Sequence, residues 1–287
     1  MPINFKEYIQ ESKSLELTPE EYEKVTTLSK KYIELIDKKP RPRTQLLPQH
    51  FFKDIKIKKN SNITPRFLKL ESIQLTDRST GILKSIDVIV IFDYPDPPYS
   101  GLYRQQTEEI LLFHDMFVNY SYYRIFEIIS HEIIHAIQHY KTTSAKYIKA
   151  VKKDIYKDEI ARKDYYTEPL EFEATLSGII SQLKLVYIDY ITRIENHKIN
   201  NEHVAANFLL RKLAVFLKSF KSFATSSPET YFVHNELDIP QPLQGREIFF
   251  NTVYSDLRYR RKYQRAVLSL VLDINTRLLE KGIELDL

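Results

Sequence analysis

His131-Glu132-Ile133-Ile134-His135 is the segment whose residue types and spacing could do chemistry. Residues four apart on a helix stand one turn above each other, so both imidazoles can turn towards one point. Neutral imidazole suits a divalent transition ion, above all zinc, which takes three protein ligands and keeps a fourth position for water. Glu132, beside the first histidine, can reach such a water without ligating the ion, and a carboxylate placed there suits general-base work. The two isoleucines suit the buried side of the helix. With eight histidines in the chain, a chance match to H-E-x-x-H is expected on the order of a few per cent of the time. The plainer reading is two partly exposed histidines on an amphipathic helix.

A third ligand must come from elsewhere. One long zinc-peptidase signature places glycine three residues and histidine six residues beyond the second histidine, but Gln138 and Lys141 stand there. A carboxylate is therefore expected. The stretch Tyr165-Tyr166-Thr167-Glu168-Pro169-Leu170-Glu171-Phe172-Glu173-Ala174 offers three glutamates. Residues two apart on a helix face different ways, so Glu171 and Glu173 cannot both ligate easily. The plainer reading is an acidic helix N-terminus favoured by the dipole.

Taken together, HEIIHAIQ and YYTEPLEFEA resemble the gluzincin-type zincins, in which a glutamate on a second helix completes the site. They are similar to small metallopeptidases of bacteria and their phages in which HExxH is followed by a Y-x-x-x-P-x-E-x-E-A element. The resemblance covers about Ile86 to Leu183 and leaves both ends aside. It implies a zinc metallopeptidase with Zn2+ held by His131, His135 and Glu171, with Glu173 as the alternative third ligand. Glu132 would be the general base and a peptide or protein the substrate. Ala174 would let the two site helices approach closely. In such proteins the strand before the helix borders the substrate, so Glu109 to His114 is expected to pair with a peptide backbone. Tyr165, Tyr166 and His234 are the expected donors to the developing oxyanion. With 20 tyrosines present, the plainer reading of each tyrosine is ordinary packing, and that of His234 is a surface residue. His139, two turns beyond His131, is expected beside the site or exposed. His114 has no motif behind it.

The elements that must position these residues follow from periodicity. Residues 1–37 read as helical, with Thr18-Pro19-Glu20-Glu21 as a start signal and apolar Val25, Leu28, Tyr32 and Leu35 at helical spacing. Lys39-Pro40-Arg41-Pro42-Arg43 reads as a linker. Strands are expected over Phe67–Leu75, Ser85–Phe92 and Glu109–His114, with a loop over Asp93–Gly101. Tyr122, Ile125, Phe126, Ile129, Ile133, Ala136, Ile137 and Tyr140 then form one helical stripe. Lys141 to Asp164 reads as a loop or an exposed helix. Further helices are expected from Glu168–Pro169 to about Ile194, over Glu202–Phe223 and over Gln244–Glu280. Strands first and helices afterwards predict an α+β fold, with a small, mainly antiparallel sheet packed on the site helix and a largely helical C-terminal half. The resemblance makes that fold zincin-like. The expected division is an N-terminal helical extension and linker over 1–60 and a catalytic domain over 61–287.

A chain of 287 residues can bury its own core, and the absence of cysteine excludes disulfides, thiolate zinc sites and cysteine nucleophiles. The polar start Met1-Pro2-Ile3-Asn4-Phe5-Lys6-Glu7 has no signal-peptide character, and no run reaches the length of a membrane span. A cytoplasmic or virion-associated protein without membrane contact is expected. The second functional expectation is a structural or interaction protein of the same fold, part of a virion or other assembly, that keeps the metal site. A metal-only role has no need of Glu132. The third is a nucleic-acid binder using the basic segments Lys38–Arg43, Lys53–Lys59 and Arg258–Arg265, the last interleaved by Tyr259 and Tyr263. Against it, 42 basic residues face 38 acidic ones for a net charge of only +4, which suits plain solvated helix faces.

Overall fold

The structure, a computed structural model, describes residues 17–37, 45–46, 65–94, 100–141, 169–225, 249, 253 and 255–283. Residues 1–16, the Lys39–Arg43 linker, the basic Lys53–Lys59 segment and residues 142–168 lie outside that set.

Helix α1 (Pro19–Asp37) starts where its threonine and proline predict. Thr18 Oγ1 accepts the Glu21 N–H at 3.3 Å and Glu21 Oε2 accepts the Thr18 N–H at 2.8 Å. Two amides that the first turn leaves orphaned are thereby satisfied reciprocally. The buried line of α1 is Val25, Ser29, Tyr32 and Ile33, while Leu28 and Leu35 stay half-buried. The inward face is rotated from the expected stripe because Ser29 is inside. Its hydroxyl meets that of Ser130 at 3.0 Å, which offsets the cost of burying it.

Strands β1 (Gln45–Leu46), β2 (Arg66–Lys69), β3 (Ile73–Thr76), β4 (Leu83–Phe92), β5 (Gly101–Arg104) and β6 (Glu109–Phe113) form one six-stranded sheet. Its order is β1-β2-β4-β6-β5, with β3 also paired to β4. The apolar run of β4 is central, and Val88 to Ile91 are buried on both faces. The sheet is mixed: β4 and β6 are parallel and the other pairings antiparallel. Phe67–Leu75, expected as one strand, is two. The register passes from Lys69↔Ile89 to Ile73↔Ile86, so one extra residue bulges between β2 and β3. Lys69 and Ser72, at the bulge, donate to the Asp87 carboxylate at 2.5 and 2.8 Å. On one face of the sheet Ile89, Ile91, Tyr94, Leu111 and Phe113 cluster, with Phe67 and Leu102 packed against them.

Strand β5 is not foreseen by the sequence, and it fills the edge of β6 expected to pair with a peptide. β6 has β4 on one side and β5 on the other. Both of its edges are filled, so the expectation that Glu109–His114 pairs with a substrate is overturned. Among the described residues β5 is the strand at that edge of the sheet.

After the short helix α2 (Asp115–Asn119), helix α3 (Tyr122–Lys141) packs on β3, β5 and β6 and against α1. Sandwiched in this way, α3 is buried all round from Ile125 to Ile134 rather than along one stripe. Tyr122 departs from the expected stripe and is 40% exposed. The interior of α3 includes Glu127, Ser130, His131, Glu132 and Gln138, a polar load that needs partners, as Arg124 provides for Glu127 at 2.5 Å.

Cα packing divides the chain into two compact units, one of residues 1–153 with 173–178 and one of residues 154–172 with 179–287. Helix α4 (Pro169–Ile199) lends one short stretch to the first unit and the rest to the second. In the second unit α5 (His203–Thr225) packs on α6 (Leu257–Glu280), and Phe172 lies against Phe249 and Tyr259, with ring centroids 5.6 and 4.4 Å away. The helix expected over Gln244–Glu280 is interrupted. Asp256 is extended, at φ −119° and ψ 118°, and its side chain accepts the Arg258 N–H to cap α6. No described helix is long and apolar enough to cross a membrane.

Candidate metal centre

Helix α3 sets His131 and His135 one turn apart, and their Nε2 atoms lie 3.0 Å from each other. The rings are nearly perpendicular, at 88°, with centroids 4.5 Å apart. Two nitrogens on one tetrahedral zinc, each about 2.0–2.1 Å from it, stand roughly 3.3 Å apart. The pair is within a few tenths of an ångström of that spacing.

Helix α4 brings the third group. Pro169 occupies the first helical position, where its missing N–H costs nothing, and Glu171 follows in the first turn. Ligating atoms of His131, His135 and Glu171 all lie within 4.8 Å of one another. Glu173, also 3% exposed, is not part of that group, because two residues along a helix turn the side chain by about 200°. Small residues on α4 admit close packing. Ala174 is fully buried, and one turn further a Cβ built on Gly178 would stand 3.5 Å from the Glu127 carbonyl oxygen and 3.8 Å from His131 Cβ.

Glu132 is 7% exposed and stands beside the ligand group rather than in it. Its Oε2 accepts the main-chain N–H of Tyr103, on β5, at 2.7 Å. The strand comes this close because residue 101 is glycine. A Cβ there would meet Glu132 Cγ at 2.9 Å and Ile128 Cγ2 at 3.0 Å. Further along, Tyr103 Oη lies 2.6 Å from His139 Nδ1. Burial holds the His139 imidazole below its ordinary 6.5, with Lys84 adding to the effect and Glu108 and Asp77 opposing it. Burial, followed by the influence of Tyr140 and Glu108, pushes the Tyr103 phenol well above its usual range. The tautomer of the imidazole sets which of the two groups donates in this hydrogen bond. Nothing local in the sequence marks Gly101 or Tyr103, whose contacts reach across about thirty residues of chain.

His131, His135 and Glu171 could together hold a metal ion. Two imidazole nitrogens and one carboxylate oxygen are the donor set zinc favours, and a buried carboxylate is offset by a dication. Comparison with models of known protein families, with characterised proteins and with solved structures finds no match for this chain. What the site does is therefore read from its own atoms.

Other residues singled out by the sequence fall differently. Tyr165, Tyr166, His234 and Glu168 lie outside the described residues. His114 packs as an aromatic, 4.5 Å from Phe92 and 6.2 Å from Phe117 between ring centroids, and is not in the ligand group. In the basic Arg258–Arg265 segment, Tyr259 and Tyr263 are buried and offer no face on which a nucleic-acid base could stack.

Proposed function

We propose that this chain is a zinc-dependent metallohydrolase of gluzincin type that cleaves peptide bonds. The observation that carries the reading is the convergence of His131, His135 and Glu171, with Glu132 beside them and outside the ligand group. Zinc held by these three side chains would polarise the scissile carbonyl and lower the pKa of a water towards neutrality. Glu132 takes a proton from the water as its oxygen bonds to the carbonyl carbon. It gives that proton to the amine nitrogen as the C–N bond breaks.

A zincin-like arrangement is supported by the mixed sheet, the pentad helix lying across it, and a glutamate from the next long helix. The outward N–H of β5 at Tyr103 is taken by the Glu132 carboxylate, so the choice of a peptide substrate rests on the gluzincin-type resemblance of HEIIHAIQ and YYTEPLEFEA. The rival reading, a structural protein that merely holds metal, leaves the buried Glu132 carboxylate only the task of accepting the Tyr103 N–H.

Elemental analysis of purified wild type beside Glu171→Ala and Glu173→Ala tests the centre. Stoichiometric zinc is expected in wild type and in Glu173→Ala, and its loss in Glu171→Ala. Zinc retained by Glu171→Ala would displace Glu171 from the ligand set, and wild type without affinity for any divalent ion would end the hydrolase reading.

A further inference from the structure

The contact between β5 and α3 goes beyond holding the sheet to the helix. The register pairs Gly101 with Leu112 and Tyr103 with Ile110, and the Phe113 N–H donates to the Ser100 carbonyl at 3.0 Å. Hydrogen-bonded and non-bonded pairs alternate along an antiparallel ladder. Residues 100, 102 and 104 therefore turn their main-chain groups to β6, while residues 101 and 103 turn theirs outward. The outward N–H of Tyr103 does not face solvent. It donates to Glu132 Oε2 at 2.7 Å. The side chain of the same tyrosine is fastened to the same helix seven residues on, where its hydroxyl meets His139 Nδ1 at 2.6 Å. Positions 132 and 139, two turns apart, share one face of α3.

We propose that Tyr103 and His139 are positioning residues that clamp β5 to α3 at two points and thereby fix the carboxylate of Glu132 in one orientation. Neither belongs to the ligand group, and each acts through the main-chain N–H of Tyr103. Gly101 is the third part of the device, because any side chain there drives into Glu132 Cγ and Ile128 Cγ2. Without the clamp, the glutamate has the rotamers of a flexible side chain, and only a fraction of them aim the carboxylate at the water. A displacement of about 1 Å in a reacting group can cost on the order of a hundredfold in rate. The catalytic consequence rests on the hydrolase reading, whereas the clamp itself does not.

The test separates the two. In zinc-loaded protein labelled with nitrogen isotope on tyrosine only, the Tyr103 amide is the resonance missing from Tyr103→Phe. It should shift strongly in Glu132→Ala, which removes its acceptor. In His139→Phe its exchange with solvent should rise by at least about tenfold as the local contact opens more often. His139→Asn, whose amide can occupy the place of Nδ1, should restore much of the protection. On a peptide substrate, Tyr103→Phe, His139→Phe and Gly101→Ala should each lower kcat by about 10- to 100-fold. KM should stay within about twofold and zinc content should be unchanged. A Tyr103 amide indifferent to both Glu132→Ala and His139→Phe overturns the clamp. An amide that responds while kcat is unaffected overturns its positioning role. Wild type that holds zinc yet cleaves no peptide defeats the hydrolase reading, and with it the role in catalysis, while the amide measurement still decides the clamp.

Discussion

A glutamate that moves a proton must stand near the metal without becoming a ligand. In the proposed hydrolase the neighbouring position on the helix supplies the nearness at Glu132, and the Tyr103 N–H, holding one oxygen, supplies the restraint. Glu132→Gln keeps the shape and both oxygen-sized positions but cannot take a proton. It should retain zinc and lose about 10²- to 10⁴-fold in kcat/KM, read by peptide turnover beside elemental analysis. His135→Ala removes a proposed ligand and should lose zinc and turnover together; full activity in either variant contradicts the proposed roles. The pentad was legible from its spacing alone, because i and i+4 convergence is a property of any helix. The choice between Glu171 and Glu173 was not, since it depends on how α4 is rotated about its own axis.

At the scale of elements, the start of α1 is written in its sequence. Thr18 and Glu21 bond reciprocally, and Glu21 also pairs with Arg78 and with Lys141 at the end of α3. Thr18→Ala should cost about 1 kcal/mol, seen as a lower urea midpoint with zinc content unchanged. The packing of α4 makes a second prediction. Atoms 3.5 to 3.8 Å from a Cβ at Gly178 are at ordinary contact distance, so alanine fits there. Gly178→Ala should be neutral or stabilising by up to about 1 kcal/mol from helix propensity. Gly178→Leu has no such room against Glu127 and His131 and should lower both the melting temperature and the zinc content. The start of α1 and the central strand were legible because caps and apolar runs are local. The bulge between β2 and β3, and strand β5, were not, since each exists only through its partner strand.

For the molecule as a whole, two conditions should change stability. A metal that binds the folded chain alone stabilises it by about 2.7 kcal/mol at a hundredfold excess over its Kd. Chelation of zinc should therefore lower the melting temperature, and added zinc should restore it; indifference to chelator would argue against a resident ion. Acid is the second. Burial works against ionisation of Asp87, yet hydrogen bonds from Lys69 and Ser72 and the Lys69 charge outweigh it and hold its pKa below the ordinary 3.8. Asp256 is likewise lowered, chiefly by its hydrogen bond from the Arg258 side chain. A depressed folded pKa contributes stability that is fully present above the unfolded value and is lost as pH falls through the folded one. The urea midpoint should thus fall below about pH 4, and Asp87→Asn should flatten part of that slope.

Taken alone, the sequence determined what is local: a helix carrying two imidazoles one turn apart with a carboxylate beside the first, the cap of α1, and the order of strands before the later helices. Those features follow from the period of the backbone and from groups a few residues apart. Only the tertiary structure decided which glutamate joins the histidines, which strand forms the edge beside Glu132, and why position 101 is glycine. Each of these depends on a contact between segments tens of residues apart, and no local pattern encodes the rotation of one element against another.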